Sequence, residues 1–269
     1  MILDETIDVL RNRYKDKFED LFIREVRIGL YMTAIRLSDG STGLSSTAKP
    51  VNSEIHRKRE SRDYGDFTPN NITGESILDL FECEKQGPLI ETLRVAVLNA
   101  LSSEILRNSG YKILGNTDPI DLLDLGQNKT ITLVGAFQSY IQRISRTNNR
   151  LFVLEYNEEA FEGDEKKFYT PADEFSKILP ISDVVIITGL TLVNHTLDQL
   201  LESISPGSKV IVTGPSSSII PDVLFEHNVN IIGAIRITNP ELTLKIVSEG
   251  AAGYHMFRYC AEKISILKD

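Results

Sequence analysis

Between Thr130 and Ile237 one pattern repeats: a short, continuously apolar run, a turn rich in glycine and hydroxyls, and then an amphipathic helical stretch. The runs are TITLVGAF (130 to 137), RLFVLEYN (150 to 157), DVVIITGL (183 to 190), SKVIVTGP (208 to 215) and VNIIGAIRI (229 to 237). The stretches LDQLLESI, PDVLFEHN and NPELTLKIVSEG carry helical spacing. A strand that is apolar on both faces must be buried on both, and helices on either side of a parallel sheet do that. The expectation for residues 118–269 is therefore an α/β fold, a Rossmann-like parallel-sheet domain.

Residues 1–117 follow other rules. An apolar stripe through Ile2, Leu3, Ile7, Leu10, Tyr14 and Phe18 predicts an opening helix. FIREVRIGLYMTAIRLSDGSTGLSST alternates loosely around Asp39-Gly40, a tight-turn signal, and predicts an antiparallel meander. Leu89, Leu93, Val97, Leu101 and Ile105 stand at four-residue steps between Pro88 and Gly110, predicting a helix with one packing face. The result is a small α+β unit. Between the meander and that helix, residues 48–76 are polar and without period. There His56-Arg57-Lys58-Arg59 and Arg62 make either an anion-attracting edge or a solvated loop balanced by Glu60, Asp63 and Asp66.

The chain has 269 residues, 41% of them hydrophobic, enough for two modest cores. Its net charge of -9 argues against nucleic acid or an anionic membrane as a general partner. Two distant cysteines, Cys83 and Cys260, indicate neither a disulfide framework nor a zinc knuckle, and a reducing cytoplasm fits them. The N-terminus mixes charges through its apolar positions, so the chain reads as soluble and unprocessed. A homodimer is compatible with the sequence but not specified by it.

Ligands of parallel sheets bind beyond the carboxyl ends of the strands. The candidate residues are those at such ends: Gly135 and Phe137 after the first strand, Glu155 closing the second, Thr188, Gly189, Thr191, Asn194 and His195 after the third, and Gly214, Pro215 and Ser216 after the fourth. Thr188 to Asn194 are expected to face Gly214 to Ser216 across one crevice, where free backbone amides and hydroxyls take a small polar or anionic ligand. Thr196-x-x-Gln199 fits a capping box, Asn194 fits an N-cap or a ligand contact, and Pro221 starts a helix that leaves Ser216 to Ser218 as an exposed turn. NAD(P) is disfavoured. A dinucleotide site needs G-x-G-x-x-G after the first strand, and GAFQSY puts Phe137 and Tyr140 where glycines belong, although Glu155 sits where a ribose-binding acid would. The histidines His56, His195, His227 and His255 are scattered, and the acidic run Glu158 to Glu165 reads as a solvated loop unless folding converges its oxygens on a cation.

TGLTLVNHTLDQLL followed by VIVTGPSSSIIPDVLF resembles the TGTTLVNGT and GPS-then-Pro signatures of a heavy-metal-chelation family found in bacteria and archaea. LVGAFQ is similar to that family's VG-x-F-P segment, with Gln138 for proline. The resemblance implies an enolase N-terminal-like domain followed by a Rossmann-like one, with a ligand cleft between them. It also implies a metal ion or a metal chelator as ligand. His195 stands where the family has glycine, so it would crowd the site or add a nitrogen ligand. Two function classes stay open: a binding protein for a metal or its chelator, and an enzyme acting on a phosphorylated or nucleotide-like metabolite.

Overall fold

The computed structural model describes residues 1–48 and 65–268. The basic stretch His56 to Arg62 therefore lies outside the described residues. Helix α1 (Ile2–Tyr14) leads into the meander β1 (Ile23–Ile28), β2 (Met32–Leu37) and β3 (Thr42–Ser46), an antiparallel three-stranded sheet. Residues 65–76 are not an idle loop: Phe67 and Ile72 are buried, and the Ser76 side chain accepts from the Leu78 amide to cap α2 (Ile77–Glu82).

Helix α3 (Pro88–Arg107) starts with proline at its first turn, as expected. The one-sided apolar stripe proves too narrow a description. Ile90, Val95, Ala96, Leu98 and Ala100, off that stripe, are as buried as Leu93 and Val97. The reason is that α3 is covered on both sides, by β2 and β3 on one and by the large sheet's turns on the other. Close approach on the first side depends on Gly43, because a Cβ there would stand 2.1 Å from the Ala96 carbonyl oxygen and 2.3 Å from the Ala100 nitrogen.

The remainder forms an eight-stranded sheet. Its strands are β4 (Lys112–Gly115), β5 (Thr130–Val134), β6 (Arg150–Glu155), β7 (Tyr169–Pro171), β8 (Val184–Thr188), β9 (Lys209–Thr213), β10 (Ile231–Ile237) and β11 (Ala261–Leu267). The helices between them are α4 (Gln138–Ile144), α5 (Phe175–Ile178), α6 (Leu190–Val193), α7 (Leu197–Glu202), α8 (Pro221–Glu226), α9 (Pro240–Ser248) and α10 (Gly253–Tyr259). The spatial order is β4-β11-β10-β9-β8-β5-β6-β7. Strands β5 to β10 are parallel, while β11 pairs antiparallel with β10 and β4 antiparallel with β11. The five expected strands are present. The edge pair β11 and β4 gives the sheet an antiparallel border that an expectation of parallel strands alone did not include.

Both faces of this sheet are covered. On one, Val185, Ile187, Val212 and Ile232 share a hydrophobic cluster with Leu10, Leu93, Val97 and Leu101, so the core runs without a break from the first half into the second. On the other, Ile131, Leu133, Ile186 and Ile211 pack under Tyr140, Ile141 and Ile144 of α4. Among the described residues no helix is long and apolar enough to cross a membrane.

Gly43→Ala should destabilise the protein by about 1 to 3 kcal/mol, the usual cost of overpacking. Gly110→Ala, where an added Cβ meets nothing within 4 Å, should stay within about 0.5 kcal/mol. Urea denaturation of both variants checks this, and equal midpoints would contradict the close approach of β3 to α3.

Candidate functional site

Taken alone, the parallel strands run β7-β6-β5-β8-β9-β10, so the chain winds outward from β5 to one side and then returns to β8 and winds to the other. Such a reversal opens a crevice beyond the carboxyl ends of β5 and β8. The sequence-predicted residues cluster there, but they do not share one space.

At the end of β5 the backbone is already spent. The Gly135 amide donates to the Leu154 carbonyl at 2.9 Å, Ala136 to Glu155 Oε2 at 3.1 Å, and Phe137 to the Gly135 carbonyl at 3.0 Å. Glu155 Oε1 accepts from the amides of Tyr156 and Asn157. The turn therefore offers a pyrophosphate none of those three amides, and Glu155 caps backbone rather than reaching for a ribose. Gly135, Glu155, Thr188, Thr191 and Asn194 line a small cavity of about 90 Å³, closed on its apolar side by Leu154, Phe175 and Leu200. Several of its polar groups are bonded locally: Thr191 Oγ1 donates to the Thr188 carbonyl, and Asn194 Oδ1 accepts from both the amide and the hydroxyl of Thr196. The expected capping box does not form, because the Thr196 side chain turns back to Asn194.

The turn after β9 holds the larger correction. Ser216 and Ser217 are fully buried and Ser218 nearly so, rather than exposed. Gly189 does not face Ser216 across a crevice; it touches it. The Gly189 amide donates to the Thr213 carbonyl at 2.8 Å, and a Cβ at Gly189 would come within 2.7 Å of the Ser217 nitrogen. On its other side Ser216 Oγ accepts from the Ser46 amide at 2.9 Å and lies 3.3 Å from Ser45 Oγ. Asn99 Nδ2 donates to the carbonyls of Leu44, Pro215 and Ser216, and the Ile220 amide donates to Ser102 Oγ at 2.8 Å. The GPSSS turn is the joint between α3, β3 and the large sheet.

His195 also joins the halves. It has φ 58°, a left-handed conformation that favours glycine, which accounts for the glycine expected there. Its Nε2 lies 2.8 Å from Glu91 Oε2 on α3, and Arg94 pairs with the other oxygen of Glu91 at 2.8 Å. Arg94 also donates to the carbonyls of Leu80 and Cys83 at the end of α2, so its guanidinium is held in place. The hydrogen bond to Glu91 raises the His195 pKa above 6.5, against the opposing pull of burial. These residues border a cavity between the halves with Leu3, Pro88 and Asn194.

A third space lies under α10, on the opposite face of the large sheet from α3. It has about 280 Å³ and receives Phe137, Gly214 and Pro215 of the predicted set. Three residues that sequence reasoning did not select converge there. The Tyr140 hydroxyl donates to Asp118 Oδ1, and Lys263 Nζ donates to Asp118 Oδ2 at 2.6 Å. Thr213 bonds to the same phenol oxygen, while burial and then Asp118 push the Tyr140 pKa strongly upward, so the phenol keeps its proton. Tyr140 is buried, Asp118 is mostly covered, and Lys263 remains nearly half exposed. Asp118 was visible only as the cap before Pro119, and Tyr140 only as an obstruction to pyrophosphate.

For a metal ion held by the protein's own side chains the donors are missing: among the described residues no three of His, Cys, Asp and Glu converge. Cys260 is buried beside Met256, and that burial raises its pKa, so it packs as a thiol rather than ligating as a thiolate.

Comparison with known proteins gives a consistent set of relatives. Residues 118–266 and 11–102 match two family models, both described as putative heavy-metal chelation. An uncharacterised protein of Methanocaldococcus jannaschii is 21% identical over 268 residues, 99% of this chain and 98% of that one. A crystal structure from Pyrococcus horikoshii, of unknown function, aligns with TM-score 0.78 at 20% identity over the whole of both chains. One from Desulfitobacterium hafniense, also of unknown function, aligns with TM-score 0.71 at 21% identity over 97% of this chain and 99% of that one. At these identities the likeness establishes the fold.

Ser216→Ala leaves the buried Ser46 amide without its acceptor and should cost about 1 to 3 kcal/mol of stability, whereas Asn194→Ala, in an exposed turn, should cost under about 1 kcal/mol. Chemical denaturation of the pair decides this. For His195 the folded pKa lies above the unfolded one, so its contribution is complete below about pH 6.5 and is lost as pH rises through the folded value. The stability advantage of the parent protein over His195→Asn, a substitution that tolerates the left-handed backbone, should therefore be flat below about pH 6.5 and shrink as pH rises from there to about 9. A difference constant across that range contradicts the His195–Glu91 pairing.

Proposed function

The chain belongs to that heavy-metal-chelation family, and from this premise we propose that it captures a small organic ligand of the chelating kind, in the cavity under α10, rather than a bare metal ion. One observation carries the reading: a carboxylate, an ammonium, a phenol and a threonine hydroxyl meet at one void, between aromatic walls, at the carboxyl end of the sheet. Pockets for small ligands combine apolar walls with a few convergent polar groups in this way. The two rival spaces are weaker candidates. They hold fewer aromatic side chains: Tyr156 and Phe175 line the cavity beside Thr188 and Phe81 the one beside His195, against Phe137, Tyr140, Tyr254 and Phe257 under α10.

The family's metal enters this account as cargo of the ligand, since the described side chains do not form a coordination set. A chelator supplies its own donors, and the protein then needs only to recognise an organic molecule. The 280 Å³ available suits one ring with substituents and falls short of a dinucleotide.

Metal-stripped protein dialysed against zinc or nickel salts and then desalted should retain no stoichiometric metal by elemental analysis. Native mass spectrometry of freshly purified protein should show a small organic adduct that is lost in Asp118→Asn. One equivalent of zinc or nickel retained by the stripped protein, with no organic adduct, contradicts the reading.

A further inference from the structure

The cavity under α10 has walls and polarity that narrow its ligand further, an inference that rests on its being the binding site. One wall is flat: the Phe137 and Tyr140 rings stack with centroids 5.3 Å apart and planes 21° from parallel. Opposite them, α10 presents Tyr254 and Phe257, three residues apart and so on one helical face. Tyr254 is 69% exposed. An aromatic ring left in water at the mouth of an aromatic-walled cavity gains burial and stacking when a flat molecule enters.

The polar end is equally specific. An ammonium carries three donors and no acceptor, and the partner of Lys263 is Asp118, at 2.6 Å. Asp118 is held in turn by Tyr140 and by the Ile120 amide, so it anchors an ammonium that borders the void and has N–H groups to spare. Lys263 Nζ lies over the Phe257 ring, 5.2 Å from its centroid, so the ammonium borders the cavity beside that aromatic wall. An ammonium with two N–H groups to spare, beside an aromatic-walled cavity, fits two adjacent acceptors on a flat ring. A carboxylate next to a ring nitrogen presents that pair, and the same pair is what chelates a metal ion.

We propose that the cavity takes a small heteroaromatic acid whose carboxylate is adjacent to the ring nitrogen, with the ring between Tyr140 and the α10 aromatics and the N,O notch on Lys263. Pyridine-2-carboxylate is the simplest such molecule. The pairing of Lys263 with Asp118 does not compete, because a half-exposed ion pair of this kind is worth at most about 1 kcal/mol and leaves the other donors available.

The test is isothermal titration calorimetry of the full-length protein with pyridine-2-carboxylate, pyridine-4-carboxylate and benzoate. The 2-isomer should bind about tenfold tighter than either control, the value of one charge-assisted hydrogen bond. Lys263→Met should weaken the 2-isomer by about tenfold while lowering the thermal midpoint by no more than about 2 to 4 °C, and Tyr254→Ala should weaken it by about fivefold through lost stacking. Equal binding of all three acids, or a Lys263→Met variant that binds like the parent, overturns the proposal. If none of the acids binds while an organic adduct is still lost in Asp118→Asn, the ligand class is wrong and the cavity reading stands. If there is neither acid binding nor adduct, both fall.

Discussion

Helix α3 is buried on nearly every side, and most of the polar groups it carries inward find partners there. Thr92 accepts the Ala48 amide, Asn99 donates to Leu44, Pro215 and Ser216, Ser102 accepts the Ile220 amide, and Glu91 meets His195. A buried polar group without its partner costs as much as a sizeable part of a domain's stability. These contacts therefore fix the small sheet against the large one with little freedom to slide. They also dictate where the GPSSS turn stands, and through it where β9 and β8 end.

That constraint explains why two turns of similar composition do different work. Both the Thr188 turn and the Ser216 turn are rich in hydroxyls beside glycine, and both lie at strand ends where amides are often free. Here the amides of Gly135, Gly189 and Gly214 donate within the protein, and the Ser216 hydroxyl is taken by β3. Hydroxyls that close a joint are not available to a ligand. The cavity proposed for the ligand lies on the other face of the sheet, where α10 and α4 leave aromatic rings around Asp118 and Lys263.

Five strands of the large sheet, β5, β6, β8, β9 and β10, were legible because each carries its own apolar signature, whereas the short edge strands β4 and β7 are partly exposed and carry none. Strand β11 was not, since AEKISIL alternates polar and apolar residues and becomes a strand by pairing with β10 and β4. The proposed site was legible only in part. Phe137, Gly214 and Pro215 reach the cavity, but Asp118, Tyr140 and Lys263 are brought together across 22 and 145 residues, with no local spacing to mark them. Ser216 misled for the opposite reason: what a turn binds depends on what packs against it, and α3 and β3 lie more than a hundred residues away.

The central claim is that the joint at GPSSS is structural while binding occurs under α10. Hydrogen–deuterium exchange with and without pyridine-2-carboxylate tests it most directly. The account predicts slower exchange at residues 253–259 and 118–122 on adding the acid, with 188–196 and 214–220 unchanged. Protection confined to 188–196 and 214–220, with none under α10, would contradict it.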